Sequence, residues 1–170
     1  CIGVAQTTYL DYMVPNFVKI LVWNSKDAME KLHKNYPWCE HVHIVHGFDP
    51  NEFKNLSLSR IDGVLSVNSK FLERRKILGL DNFRYVASKI KKCHLYGHGN
   101  EEMPESRGSL KTFADLVKIY NAYKIYLNTT VESAMPRSRA EAMMCGTPLV
   151  TTSNYDIRRY INQGVNGYLA

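Results

Sequence analysis

The sequence predicts an open α/β sheet: parallel strands with helices on both faces. Three observations point to it. Short apolar runs alternate with amphipathic stretches along the chain, as strands and helices taking turns do. From Ile61 onward the alternation recurs in units of roughly 25 to 30 residues, the length of a strand–helix–strand crossover. Glycines and other turn formers follow the apolar runs, and in a sheet of this kind the loops after strands carry the chemistry.

The elements follow in order. Phe17 to Trp23 (FVKILVW) reads as a strand. Asn24 or Ser25 then caps a helix from Lys26 to Lys34, with Met29 and Leu32 on one face. His41 to Val45 is extended, and Gly47-Phe48-Asp49-Pro50-Asn51 is turn chemistry and a candidate domain boundary. A second series begins with a buried strand at Gly63 to Val67. Leu72 to Leu78 is helical, and helix resumes before Ala87. Cys93 to Tyr96 is a short strand ending at Gly97-His98-Gly99, with a polar loop over Asn100 to Ser106. Apolar residues at Phe113, Leu116, Val117 and Tyr120 have helical spacing. Lys124 to Leu127 is a strand, and Arg139 to Met144 a helix stopped by Gly146. Leu149 to Thr152 is a strand, Tyr155 to Asn162 a helix stopped by Gly164, and Gly167-Tyr168-Leu169 begins one more strand.

Composition sets the limits. The chain has 170 residues, 45% hydrophobic and 22% charged, enough for one compact domain plus some extra and too little for two full ones. No apolar run is long enough to cross a bilayer. The start, CIGVAQTTYL, lacks the basic-then-apolar layout of a signal peptide, so an internal piece of a longer polypeptide is expected. The net charge is +6, which suits nucleic acid, acidic lipid or a phosphorylated ligand and equally describes a solvated basic face. The cations lie in small clusters (Arg74, Arg75, Lys76; Lys89, Lys91, Lys92), and no basic stripe is interleaved with aromatics, so no nucleic-acid partner is expected.

No two of Cys1, Cys39, Cys93 and Cys145 form a C-x-x-C pair, so neither a zinc ribbon nor a redox motif is visible. On an extended strand Cys39, His41 and His43 stand about 7 Å apart, too spread for one tetrahedral ion. No metal is expected. Free thiols fit a reducing, cytoplasmic setting. The triplets at Asn55 and Asn128 match the glycosylation sequon and, without a secretory signal, read as chance.

The most specific stretch is Glu141-Ala142-Met143-Met144-Cys145-Gly146-Thr147-Pro148-Leu149-Val150. It resembles the E-A-M-A-C-G-T-P-V-V signature in the second domain of GT-B glycosyltransferases, the family-four-like enzymes (glycosyl transferases group 1). Four more segments agree in the family's order. Asn154 to Leu169 resembles the helix and "dGvnGfl" strand start that follow the signature. Trp23-Asn24-Ser25 resembles the "vSe" strand end, and Ile44 to Phe53 the "vipnGvDpexF" linker. Gly108 matches a glycine shortly before the helix at Phe113. The resemblance implies a Rossmann-like second domain of a GT-B fold, truncated at both ends. Residues 1–50 would be the tail of an N-terminal acceptor domain with its linker, and 51–170 the nucleotide-sugar-binding domain, incomplete at its C-terminus.

The resemblance also implies roles. Glu141 corresponds to the residue that accepts the ribose hydroxyls, as an acidic side chain does in dinucleotide-binding folds; alone it would read as an exposed helix glutamate. Pro136, Arg137 and Ser138 lie where the helix N-terminus approaches the diphosphate; Arg137 or Arg139 either adds charge there or faces water. The family's "vGRl...KG" cations, which stabilise the leaving diphosphate, correspond to Lys70 and Arg75 as catalytic residues, with Arg74 and Lys76 as rivals and Asn68 and Ser69 replacing glycine and arginine. Ser133 stands where most members carry the first glutamate of an E-x7-E pair, and Pro136 replaces a glycine. Asn128 with Arg139 fits branches reading "LN...R..EA.acG". Gly97, in Gly97-His98-Gly99, corresponds to a tight turn near the nucleotide.

The implied function is retaining transfer of a hexosyl group from a UDP-, GDP- or ADP-sugar to a glycan, lipid or protein acceptor hydroxyl, with no cofactor, in glycan biosynthesis. The fragment alone is expected to be inactive without its missing N-terminal domain. The implied location is cytoplasmic, with peripheral membrane contact left open. The alternatives are a non-catalytic nucleotide-binding or interaction module of the same fold, and a sugar-nucleotide epimerase or phosphorylase.

Overall fold

The computed structural model describes residues 2–5, 14–133 and 135–170; Cys1 lies outside them. Two parallel sheets form. The first has three strands in the order β1 (Ile2–Ala5), β2 (Ile20–Trp23), β3 (Glu40–His43). Helix α1 (Lys26–Leu32) joins β2 to β3, followed by a 3₁₀ turn at His33–Asn35. The second sheet has five strands ordered β5 (Cys93–Tyr96), β4 (Ile61–Val67), β6 (Tyr123–Asn128), β7 (Leu149–Thr151), β8 (Gly167–Leu169). Its neighbours all pair in parallel.

Strand alternation places a core on each face of the large sheet. On β4, Leu65 joins Tyr126, Tyr120, Ala142 and Ile157 on one side, covered by α4 (Phe113–Ala122) and α5 (Arg137–Met144). Val64 joins Leu95, Phe71, Leu80 and Phe83 on the other, covered by α2 (Arg75–Leu78) and α3 (Leu80–Lys89). The predicted parallel sheet with helices on both faces is the architecture found.

Several boundaries differ, each for a local reason. The strand expected from Phe17 starts at Ile20, because Val18 N–H closes a turn on the Pro15 carbonyl at 3.0 Å. The extended run expected at His41–Val45 is Glu40–His43. Ser25, not Asn24, caps α1, accepting from Ala28 N–H at 3.1 Å. The helix expected from Leu72 becomes regular only at Arg75 and ends at Gly79, whose φ of +68° and contact with the Thr129 carbonyl admit no side chain. Helix α5 begins at Arg137, two residues early, and the segment expected as a helix at Tyr155–Asn162 is a 3₁₀ helix at Tyr155–Arg159. Strand β1 was not anticipated.

Candidate functional site

The free carboxyl ends of β4, β5 and β6 are where an open parallel sheet leaves room for a ligand. Backbone geometry builds the first half of that edge. Asn68 N–H donates to the Tyr96 carbonyl at 2.9 Å, and Lys70 N–H to the His98 carbonyl at 2.8 Å. Asn100, fully buried, fastens these loops from inside. Its Oδ1 accepts from Phe71 N–H at 2.8 Å, and its Nδ2 donates to the Asn68 and Gly97 carbonyls at 2.6 and 2.8 Å. Gly97 has φ +135°, and an added Cβ would overlap the Asn68 carbonyl. Its N–H donates to the Gly108 carbonyl at 3.0 Å, so the two predicted glycines meet. Beside them lies a pocket of about 320 Å3 lined by Val67, Ser69, Gly97, His98, Thr112 and Phe113. Lys70, next in the chain to the lining residue Ser69, has φ +54°, its Nζ 3.2 Å from Glu73 Oε2.

Side chains build the second half. Helix α5 opens after Pro136 with no side-chain cap, which leaves its first amides available to an acceptor. Glu141, one turn in, is buried: Oε2 accepts from the Tyr120 hydroxyl at 2.9 Å, and Oε1 lies 3.5 Å from Arg137 Nε. Burial, with Tyr126 and Glu141 beside it, pushes the Tyr120 hydroxyl well above its usual range, so it stays a donor. Ser138 Oγ accepts from Asn128 Nδ2 at 3.4 Å. Tyr126 ties the halves together: from β6 its hydroxyl donates to the Val67 carbonyl at the end of β4, at 3.4 Å. Arg137, largely exposed, also stacks over the Phe48 ring of the linker at 5.3 Å.

Arg139 does something different from Arg137. Fully buried, it donates through Nε to Asn128 Oδ1 at 3.0 Å and through Nη1 to Asn154 Oδ1 at 2.8 Å. Its Nη2 reaches the Thr130 carbonyl at 2.9 Å and Thr152 Oγ1 at 3.2 Å. Burial lowers its pKa to about 10, so it remains a cation at neutral pH. All four acceptors are neutral, and they fix the loop after β6. Asn154 Nδ2 in turn donates to the Ser133 carbonyl at 3.3 Å.

Of the residues expected from sequence, Lys70, Gly97 and Gly108 form one group and Arg137, Ser138 and Glu141 a second, bridged by Tyr126. Ser133 lies on the loop that Asn154 holds. Arg75 is turned to Asp81, as a two-point ion pair at 2.7 and 3.3 Å. Asn100, Tyr120, Tyr126 and Asn154 were missed. Asn100 directly follows the glycine turn, a usable signal; the others look like ordinary core or loop residues. Among the described residues no group of three or more His, Cys, Asp or Glu is arranged to hold a metal ion. Cys39 Sγ donates to the Val18 carbonyl at 3.3 Å, and His41 is held between the Trp23 indole N–H and the Tyr36 carbonyl, both at 3.0 Å.

The model of the family described as glycosyl transferases group 1 matches residues 76–170. The chain belongs to this family. No curated protein matches it. Among solved structures it is similar to TarM of S. aureus, at 15% identity and a TM-score of 0.75, over 99% of this chain and 40% of that one. Sucrose-phosphate synthase from Thermosynechococcus elongatus gives 12% and 0.72, over 99% and 54%. HepE from Anabaena, in complex with UDP, gives 15% and 0.72, over 99% and 57%. At these identities the likeness is one of fold, and this group 1 chain spans between 40% and 57% of those proteins' length. Among the described residues no helix is long and apolar enough to cross a membrane.

Proposed function

We propose that this chain carries the donor side of a retaining glycosyltransferase, which transfers a hexosyl group from a UDP-, GDP- or ADP-sugar to a glycan, lipid or protein acceptor hydroxyl without a metal or cofactor. In this reading residues 51–170 bind the donor, and residues 1–50 belong to the acceptor side and the linker. The observation that carries it is the convergence at one sheet edge of a pocket beside Gly97 and Gly108, an uncapped helix start at Arg137–Ser138 and a buried carboxylate at Glu141. The base enters the pocket, the diphosphate meets the first amides of α5, and the ribose hydroxyls donate to Glu141. Lys70 neutralises the departing diphosphate. Its partner Glu73 is an exposed neighbour, and such pairs are weak enough to exchange. Arg75 acts with it after release from Asp81. The family membership and the UDP named with HepE and TarM support this reading.

Calorimetric titration with UDP, GDP and ADP tests it, beside Glu141→Gln. The amide keeps an acceptor for Tyr120 but replaces the second carboxylate oxygen with a donor. One nucleotide should bind, and the variant should lose at least about 1 kcal/mol of that binding. Folded protein that binds none of the three refutes the reading.

A further inference from the structure

The loop over residues 129–133 borders the candidate site in the large sheet, whereas α1 belongs to the small one. One short segment, Asn154–Tyr155–Asp156, holds both. At its first residue, Asn154 accepts from Arg139 Nη1 at 2.8 Å and donates through Nδ2 to the Val131 and Ser133 carbonyls at 3.1 and 3.3 Å. At its third, the buried Asp156 carboxylate accepts from Lys26 N–H at 2.7 Å and Asp27 N–H at 2.9 Å. Those are the first two residues of α1. Their amides have no partner within the helix, and the positive end of the helix dipole favours the anion placed there. Helix α1 returns the contact. Asp27 accepts from Arg159 Nη2 at 2.6 Å and lies 3.6 Å from Arg158 Nη2.

The middle residue makes the segment stiff. Tyr155 has φ +45°, a left-handed conformation that a bulky side chain keeps only where its surroundings over-determine it. Its ring packs on the core of the small sheet, with Lys31 Nζ 5.8 Å from the ring centroid. Thus the residue that fixes the loop and the residue that caps α1 stand two apart on a backbone held in an unfavourable region.

We propose that Asn154–Asp156 is a mechanical coupler that makes the order of loop 129–133 depend on the docking of α1. Asn154 and Asp156 are positioning residues: they touch neither nucleotide nor sugar, and the site's second half is complete only when the small sheet is seated. The proposal rests on the donor-site reading only in giving the loop its use; the coupling is a property of the chain without ligand.

Hydrogen exchange of the protein without nucleotide tests it. In the wild type, Val131 and Glu132 N–H donate to the Ile77 carbonyl at 2.9 and 3.2 Å, whereas the Asp156 carboxylate accepts from Lys26 and Asp27 N–H. Asp156→Asn removes the charge and one acceptor at α1. It should speed exchange at Val131 and Glu132 by about tenfold, as local opening free energies fall, and should leave the central strands β4 and β6 unchanged. Asn154→Ala should in turn speed exchange at Lys26 and Asp27. Faster exchange at α1 in Asp156→Asn, with Val131 and Glu132 unchanged, overturns the proposal. Should β4 and β6 also open in that variant, Asp27→Asn decides by the same criterion, because it leaves the buried carboxylate in place. A UDP titration of the wild type stands apart: its failure sinks the donor reading and leaves the coupling result standing.

Discussion

The two halves of the candidate site are built by different means. The half at β4 and β5 is shaped by backbone: Gly97 N–H on the Gly108 carbonyl, Lys70 N–H on the His98 carbonyl, and Asn100 reaching main-chain groups. The half at β6 and α5 is shaped by buried side chains: Arg139 on Asn128, Asn154 and Thr152, and Tyr120 on Glu141. Backbone geometry tolerates many side chains but almost no change of φ. A side-chain network tolerates backbone adjustment but no missing member. The first half should therefore fail at glycines and the second at polar residues.

Substitution sharpens this contrast, beginning with the largest effect. Gly97→Ala places a Cβ against the Asn68 carbonyl at a positive φ and should cost about 3 kcal/mol or more, read from chemical denaturation. A loss below 1 kcal/mol would mean that this half is held by side chains after all. Arg139→Met removes a buried cation whose desolvation is costly, and it takes the arginine's donors from Asn128, Thr130 and Asn154, leaving Asn128 Oδ1 only Thr130 N–H at 3.3 Å and Asn154 Oδ1 only Thr152 Oγ1 at 3.5 Å. The lost hydrogen bonds should prevail, at about 1–3 kcal/mol net, with nucleotide affinity falling as the loop loosens. A stabilised variant that still binds nucleotide would break the comparison.

The thiols report on both halves through pH. Burial pushes Cys93, on β5, and Cys145, beside α5, up from 9.0 to about 11 each. Because the folded state holds those protons longer, the stability they contribute is fully present below pH 9.0 and is lost as the pH rises toward 11. Replacing either cysteine with alanine should flatten the fall over that window, and an unchanged slope would show that neither thiol titrates there. The smallest effect belongs to Arg75→Ala, whose ion pair with Asp81 is exposed on both sides. Its stability should stay within about 0.5 kcal/mol, so any loss of nucleotide binding in the variant would belong to the site and not to folding.

The same contrast explains what could be read from the sequence. Strand–helix alternation, Gly146 as a stop and the Gly97-His98-Gly99 turn are local signals, and β5 and β8 fall where such signals put them. The glycines of the first half were legible because φ above zero restricts residue choice at one position. The second half rests on pairs far apart in sequence. Tyr120 with Glu141, or Arg139 with Asn154, carries no local mark, and a buried arginine looks like any other cation in a row of letters. The sequence alone leaves open for Arg137 and for Arg139 whether the side chain adds charge at the site or faces water; burial separates them, one stacked on Phe48 and one enclosed. The unregistered strand β1 and the late start of β2 show a further limit, since a turn at Pro15 can override an apolar run.

Arg139 has a consequence for descent. Its four hydrogen bonds reach Asn128, Thr130, Thr152 and Asn154 on two separate stretches of chain, so exchanging the arginine alone strips donors from both at once. A lineage can abandon it only by altering its partners in the same episode, through intermediates that are less stable than either end. Sister sequences should therefore carry Arg139, Asn128 and Asn154 together or lack them together, and mixed combinations should be scarce.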